Sequence, residues 1–168
     1  MTTLLVVFFL SVGAAPAAAQ DTPQAKQAGQ GQRSLLVLSD STGKELLTAP
    51  MDEGDEFAIR YIHSVAKSPV EDWFSVEGDT IFLEKTVYQD FGAGLPHEAD
   101  EGQVMGFGDG HISISGFHRP LPTFDLRVGR IANHTLLLEQ ENGARREIPL
   151  DTLVRPGQAV TFAARPIR

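Results

Sequence analysis

From Arg33 onward, apolar and polar positions alternate with a period close to two. In "EFAIRYIHS", Phe57, Ile59 and Tyr61 fall on one side, and Glu56, Ala58 and Arg60 on the other. A β-strand sends successive side chains to opposite faces, so this alternation predicts a half-buried strand. "SLLVLSD", "WFSVEG", "DTIFLEKTVYQD", "HISIS", "FDLRVGR", "HTLLLEQ", "REIPL" and "AVTFAA" read the same way, with Gly, Pro and Asn between them. Asn142-Gly143 is a strong short hairpin signal. "GDGH", "MGFGDG" and "RPGQ" read as turns. No 12-residue window carries a helical period. Many short strands with frequent turns predict an all-β fold, a single compact sandwich or barrel-like domain of short antiparallel strands over residues 33–168.

The same alternation shapes "YIHSVAKSPVEDWF", Tyr61 to Phe74. Continuing the strand puts His63 on the face of Phe57, Ile59 and Tyr61, and Ser64 on the opposite one. Val65 to Pro69 then forms a hairpin loop, with a return strand over Val70–Glu77. On that strand Phe74, Val76 and Asp72 share the core side, while Glu71 and Trp73 lie on the other. A bulge would exchange these assignments. His63 and Asp72, or Glu71, are therefore candidates to meet where the hairpin opens. A carboxylate accepting from an imidazole N–H fixes the tautomer and raises ring basicity. Both a catalytic base and a structural hydrogen bond need this, so the pairing alone does not choose between them.

Ahead of the strands, "LLVVFFLSVGAAPA" runs apolar from Leu4 to Ala17 and is followed by small residues to Ala19. The run is short of the roughly 20 apolar residues that a bilayer span needs. It predicts a signal peptide over residues 1–19, cleaved after Ala19, and a periplasmic or otherwise exported protein. No Lys or Arg precedes Leu4, which leaves an uncleaved N-terminal anchor as the alternative. Residues 20–32, "QDTPQAKQAGQGQ", contain no apolar side chain larger than Ala and predict a flexible leader.

Composition narrows the chemistry. The 168 residues include no Cys, which excludes disulfides, thiolate metal sites and lipidation after the signal. A formal charge of −8 and an acidic pI argue against nucleic acid as a partner. There is no Gly-x-Ser-x-Gly, His-Glu-x-x-His or Ser-x-x-Lys. His97, His111, His118 and His134 lack metal-ligand spacing, so neither metal nor cofactor is expected. "FGAGLPHE" remains. Gly92 and Gly94 allow backbone shapes barred to other residues, and free N–H groups there can cradle an anion. Leu95-Pro96 fixes an extended exit. The plain alternative is a tight corner.

Taken together, Tyr61, His63, Ser64, Val65, Pro69, Val70 and Glu71, followed by Phe91, Gly92, Ala93, Gly94, Leu95 and Pro96, resemble the bacterial domain-of-unknown-function family 1850. Ala66 departs from the pattern, where an acidic residue is expected. The resemblance implies a small exported or N-terminally anchored protein, often encoded beside TRAP transporters of the TAXI type. It thereby suggests a periplasmic accessory or binding module for organic-acid uptake. The partners would be the solute-binding protein, the membrane subunits or a small carboxylate.

On that reading no residue is catalytic, and Tyr61, His63, Ser64, Glu71, Trp73, Phe91, Gly92, Gly94 and Pro96 form the binding site. His63, Ser64 and loop N–H groups would take a carboxylate, with Tyr61 or Trp73 as its apolar wall. Two alternatives stand beside it: a small hydrolase using His63 with Glu71 or Asp72, and a purely structural β-domain.

Overall fold

The computed structural model describes residues 33–90, 95–139 and 144–167. The expected signal peptide and leader, the Gly92–Gly94 loop and the Asn142-Gly143 turn lie outside the described residues. Eleven strands account for most of the rest. They are β1 (Ser34–Asp40), β2 (Glu45–Met51), β3 (Glu56–Ile62), β4 (Pro69–Glu77), β5 (Thr80–Tyr88), β6 (Val104–Gly108), β7 (His111–Leu121), β8 (Thr123–Arg127), β9 (Thr135–Glu139), β10 (Arg145–Pro149) and β11 (Ala159–Pro166).

Two antiparallel sheets pack into a β-sandwich. One has the order β2-β1-β11-β8, the other β10-β9-β3-β4-β5-β7-β6. The chain passes from the larger sheet to the smaller between β7 and β8, where Pro122 stands alone between the strands. Proline cannot donate to a ladder, so pairing stops there and the chain turns out of the sheet.

The alternation read along β3 and β4 is the observed one. Phe57 pairs across with Phe74, Ile59 with Asp72 and Tyr61 with Val70, while Ala58 pairs with Trp73 and Arg60 with Glu71. The first set faces the smaller sheet. There Phe57, Ile59, Phe74, Val76 and Ile81 bury with Leu36, Leu38, Val160 and Phe162. Four phenylalanine rings bridge the sheets. Phe57 stacks on Phe74 with centroids 5.1 Å apart, Phe74 on Phe124 at 5.3 Å, Phe124 on Phe162 at 4.8 Å and Phe162 on Phe57 at 6.3 Å.

The strand β2 was not among the runs that the pattern marked, and two further features were not legible in it. The run read as the turn "MGFGDG" contains a strand, β6, and only Asp109 and Gly110 turn. Its two glycines weaken β-propensity, but hairpin pairing with β7 supplies the ladder. The second is a bend in the larger sheet. The β4–β5 register shifts beside Trp73 and Phe74, and the β5–β7 register shifts between Leu83 and Lys85. The extra residues on β7 include Gly116 at φ 85° and His118 at φ 37°. A Cβ on Gly116 would lie 2.8 Å from the carbonyl oxygen of Gly102, so only glycine fits there. Where Val70, Tyr88 and Ile112 pair across β4, β5 and β7, a second apolar cluster forms, with Val70, Tyr88, Leu95 and Ile112 buried and Tyr61 and Met105 packed against it.

Candidate functional site

Residues 63–68 form the loop of the β3–β4 hairpin. The strand expected to run on through Ser64 therefore stops at Ile62, His63 and Ser64 belong to the loop, and the return strand starts at Pro69. The loop closes on itself. The His63 N–H donates to the Ser68 carbonyl at 2.9 Å, and the Lys67 N–H to the His63 carbonyl at 2.9 Å. The Ala66 N–H donates to Nδ1 of His63 at 3.1 Å. As an acceptor, that Nδ1 carries no proton, so the neutral ring holds its hydrogen on Nε2. Lys67 takes φ 58° to complete the turn. Next to the loop, the Ile62 N–H donates to the Ala132 carbonyl at 2.7 Å, which ties the hairpin to the segment before β9. Ser64 and Val65 stand exposed at the tip.

Inside the sandwich, below this loop, sits a polar trio. Tyr61 is hydrogen-bonded to Asp72, and the Thr86 hydroxyl donates to Asp72 Oδ1 at 2.6 Å. The alternation explains the trio. Asp72 pairs across with Thr86 on β5 and with Ile59 on β3, and Tyr61 is two residues further along the same face. Burial raises the Asp72 pKa above the ordinary carboxyl value, partly offset by the hydrogen bonds from Thr86 and Tyr61. Burial, then the nearby Asp72 charge, pushes the Tyr61 phenol far above its usual range. His134 leans against Tyr61, ring centroids 5.6 Å apart, and its Nδ1 accepts from the Gly129 N–H at 3.0 Å.

Burial holds the His134 pKa below its ordinary value. A depressed imidazole pKa means that the folded state binds fewer protons than the unfolded one. Its contribution is therefore present above the unfolded value of 6.5 and is lost as the pH falls through the folded value. Urea unfolding at pH 7 and pH 5 checks this: the protein is expected to lose more stability across that interval than a His134→Asn variant, which has no group titrating there.

The opposite face of the larger sheet carries Glu71 and Trp73. Arg60, across from Glu71, reaches Glu147 with both guanidinium nitrogens, at 3.2 and 2.6 Å. Trp73 is buried between two cations, Lys85 Nζ at 4.4 Å and Arg145 at 5.1 Å from its ring. Such contacts are worth about 0.5–2 kcal/mol each. Lys85 also pairs with Glu56 at 3.2 Å.

The sheet therefore divides the residues that the sequence grouped. Tyr61 faces the interior, Trp73 and Glu71 face outward, and Tyr61 and Trp73 cannot wall one pocket. His63 meets neither carboxylate. Asp72 is engaged by Tyr61 and Thr86, Glu71 lies with Arg60, and the ring nitrogen of His63 serves its own loop. Ser64, at the exposed tip, makes no hydrogen bond to His63 among the described residues.

Phe91, Gly92 and Gly94 lie outside the described residues. Of the same motif, Leu95 packs in the cluster that includes Tyr61, and the Pro96 carbonyl accepts from the Tyr88 hydroxyl at 2.6 Å. The Leu95-Pro96 exit of the second motif thus packs beside the base of the first.

Thr86 and His134 were missed. Thr86 becomes legible once β4 and β5 are aligned through their bulge; nothing in the local sequence marks His134. Two recesses, of about 780 and 660 Å³, open elsewhere. The first is lined by Arg33, Met51, Asp52, Leu138, Glu139 and Arg146 among others, the second by residues around Asp40 and Asp151. Among the described residues no three His, Asp or Glu side chains converge as a metal site would require.

No curated protein and no solved structure matches the chain. A family described as a domain of unknown function (DUF1850) matches residues 57–144, which runs from β3 through both motifs to the residue before β10. With more than half of its length matched, the chain belongs to the DUF1850 family.

Proposed function

We propose that this protein is an exported, non-catalytic binding module that serves a TRAP-type organic-acid uptake system of the TAXI kind. Its partner is the solute-binding protein or a membrane subunit, or else a small carboxylate held at the same loop. The link to uptake rests on the sequence resemblance. The choice of binding over catalysis rests on one observation, the commitment of the His63 ring nitrogen to its own loop backbone. A general base must reach the proton that it removes, and an activated serine must reach the base. Here the ring braces a loop whose tip presents Ser64 and Val65, and Val65 is 62% exposed. A braced loop loses little conformational freedom when it is bound, which favours recognition.

Titration with a TAXI-type solute-binding protein from the same organism tests this. Val65→Asp is expected to weaken binding at least about tenfold, or roughly 1.4 kcal/mol, since it places a charge in the contact. Its stability should stay within about 0.5 kcal/mol of the parent, as for most exposed substitutions. His63→Ala removes the brace. It is expected to cost about 1 kcal/mol of stability and to weaken binding as well. Unaltered binding by both variants sinks the proposal. Hydrolysis of simple esters that disappears in His63→Ala would return the hydrolase reading instead.

A further inference from the structure

The four sheet edges are not alike. β10 carries Arg145, Arg146, Glu147 and Pro149, β2 carries Glu45 and Pro50, and β8 carries Asp125 and Arg127. Charges and prolines on an edge keep foreign strands from adding to it. β6, Val-Met-Gly-Phe-Gly, has neither. It pairs with β7 on one side and, among the described residues, ends the larger sheet on the other. Val104 is 65% exposed and Phe107 is 71% exposed, and their odd spacing puts them on opposite faces of the edge.

The turn after β6 determines which backbone groups face out. Asp109 and Gly110, at φ 51° and 73°, form a two-residue turn between Gly108 and His111. In such a hairpin the flanking residues are a hydrogen-bonded pair, and bonded and non-bonded pairs alternate from there. Gly108, Gly106 and Val104 therefore bond to β7. Met105 and Phe107 direct their N–H and C=O groups at the open edge.

Charge indicates what would add there. Between Lys85 and Arg119 the chain contains no Lys or Arg, but it does contain Asp90, Glu98, Asp100, Glu101 and Asp109. Glu98, Asp100, Glu101 and Asp109 are exposed, and Glu101 and Asp109 bracket β6. A second copy paired here would bring two anionic corners together. The 20–32 segment offers no apolar side chain larger than Ala to cover Phe107 or Val104.

We propose that β6 is a docking edge for an extended segment of another protein, which adds as a twelfth strand. Its backbone bonds to Met105 and Phe107, its apolar side chains cover Phe107 and Val104, and Lys or Arg at its ends sit beside Glu101 and Asp109. Main-chain bonds supply affinity in this mode, and the flanking charges supply selectivity. The edge is separate from the His63 loop and does not depend on the uptake role.

The probe is a fluorescein-labelled peptide, Lys-Arg-Val-Thr-Val-Leu-Val-Arg-Lys, titrated with the purified protein and read by anisotropy. The expected dissociation constant is on the order of 10–100 µM. It should weaken at least about fivefold in 0.5 M NaCl, which screens the flanking pairs. Phe107→Pro removes an outward N–H and the exposed ring while sparing the bonds to β7, and should weaken binding at least about tenfold. Val104→Lys, which keeps the backbone intact, is expected to weaken it less, and it serves as the test if Phe107→Pro does not fold. A peptide with Pro at its central position should not bind. The proposal fails if that proline peptide binds as well as the parent, if neither variant changes binding, or if nothing binds at about 1 mM. It also fails if the protein sediments as a dimer that Phe107→Pro dissolves, which would make a second copy the occupant.

Discussion

Replacing Phe162 with Ala is expected to lower the unfolding free energy by about 3–5 kcal/mol, against the 5–15 kcal/mol typical of a whole domain. Phe162 is fully buried on β11, at the centre of the smaller sheet, and its ring contacts Phe57 and Phe124. Through those rings it joins β3 of the larger sheet to β8 of its own. Removing it forfeits the transfer free energy and leaves a cavity that two rigid sheets cannot close. It also removes two aromatic pairs worth about 0.5–1.5 kcal/mol each beyond their area. Urea unfolding followed by tryptophan fluorescence measures the loss, because Trp73 lies on the larger sheet. A cost below about 1 kcal/mol would mean that the four rings do not hold the sheets together.

The second large effect concerns the trio beneath the loop. Thr86→Val preserves shape but removes the hydroxyl that donates to Asp72. At neutral pH this should cost about 1.5–3 kcal/mol, the usual worth of a hydrogen bond to a charged group. The cost should shrink in acid. The folded pKa of Asp72 is raised, so the folded state holds its proton to higher pH than the unfolded state does. The stability linked to that proton is complete below the unfolded value of 3.8 and is lost as the pH rises through the folded pKa. Losing the Thr86 donor raises that pKa further and deepens the loss at neutral pH. Wild type and Thr86→Val should therefore draw closer at pH 4 than at pH 7. A cost that does not depend on pH would show that the carboxylate takes no part in the bond.

These sites differ in how far the sequence revealed them. Alternation alone placed Phe57, Ile59 and Tyr61 on the buried face of β3, and Phe74, Val76 and Asp72 on that of β4. It did so because a strand has one rigid periodicity and Pro69 marks where the return begins. The all-β class follows from the same periodicity repeated along the chain. β6 escaped because two glycines in five residues look like a turn, and only pairing with β7 makes them a strand.

The arrangement around the hairpin was not legible in the sequence. The presence of the hairpin and the inward direction of Asp72 follow from local geometry. The brace on His63 does not, since the alternation carried the strand through Ser64 and it stops at Ile62. The partners do not follow from it either, because they arrive from distant parts of the chain. Thr86 reaches Asp72 only through the bulged register of β5, and His134 reaches Tyr61 only because β9 lies beside β3.

By itself, then, the sequence determined the strand class and the inward and outward faces of the β3–β4 hairpin, since these depend on backbone periodicity over a few residues. The tertiary structure alone decided that Asp72 meets Tyr61 and Thr86 and not His63, that Trp73 is buried between Lys85 and Arg145, and that β6 ends its sheet without charge or proline. Each of these depends on which strands lie side by side, and long-range packing selects that order.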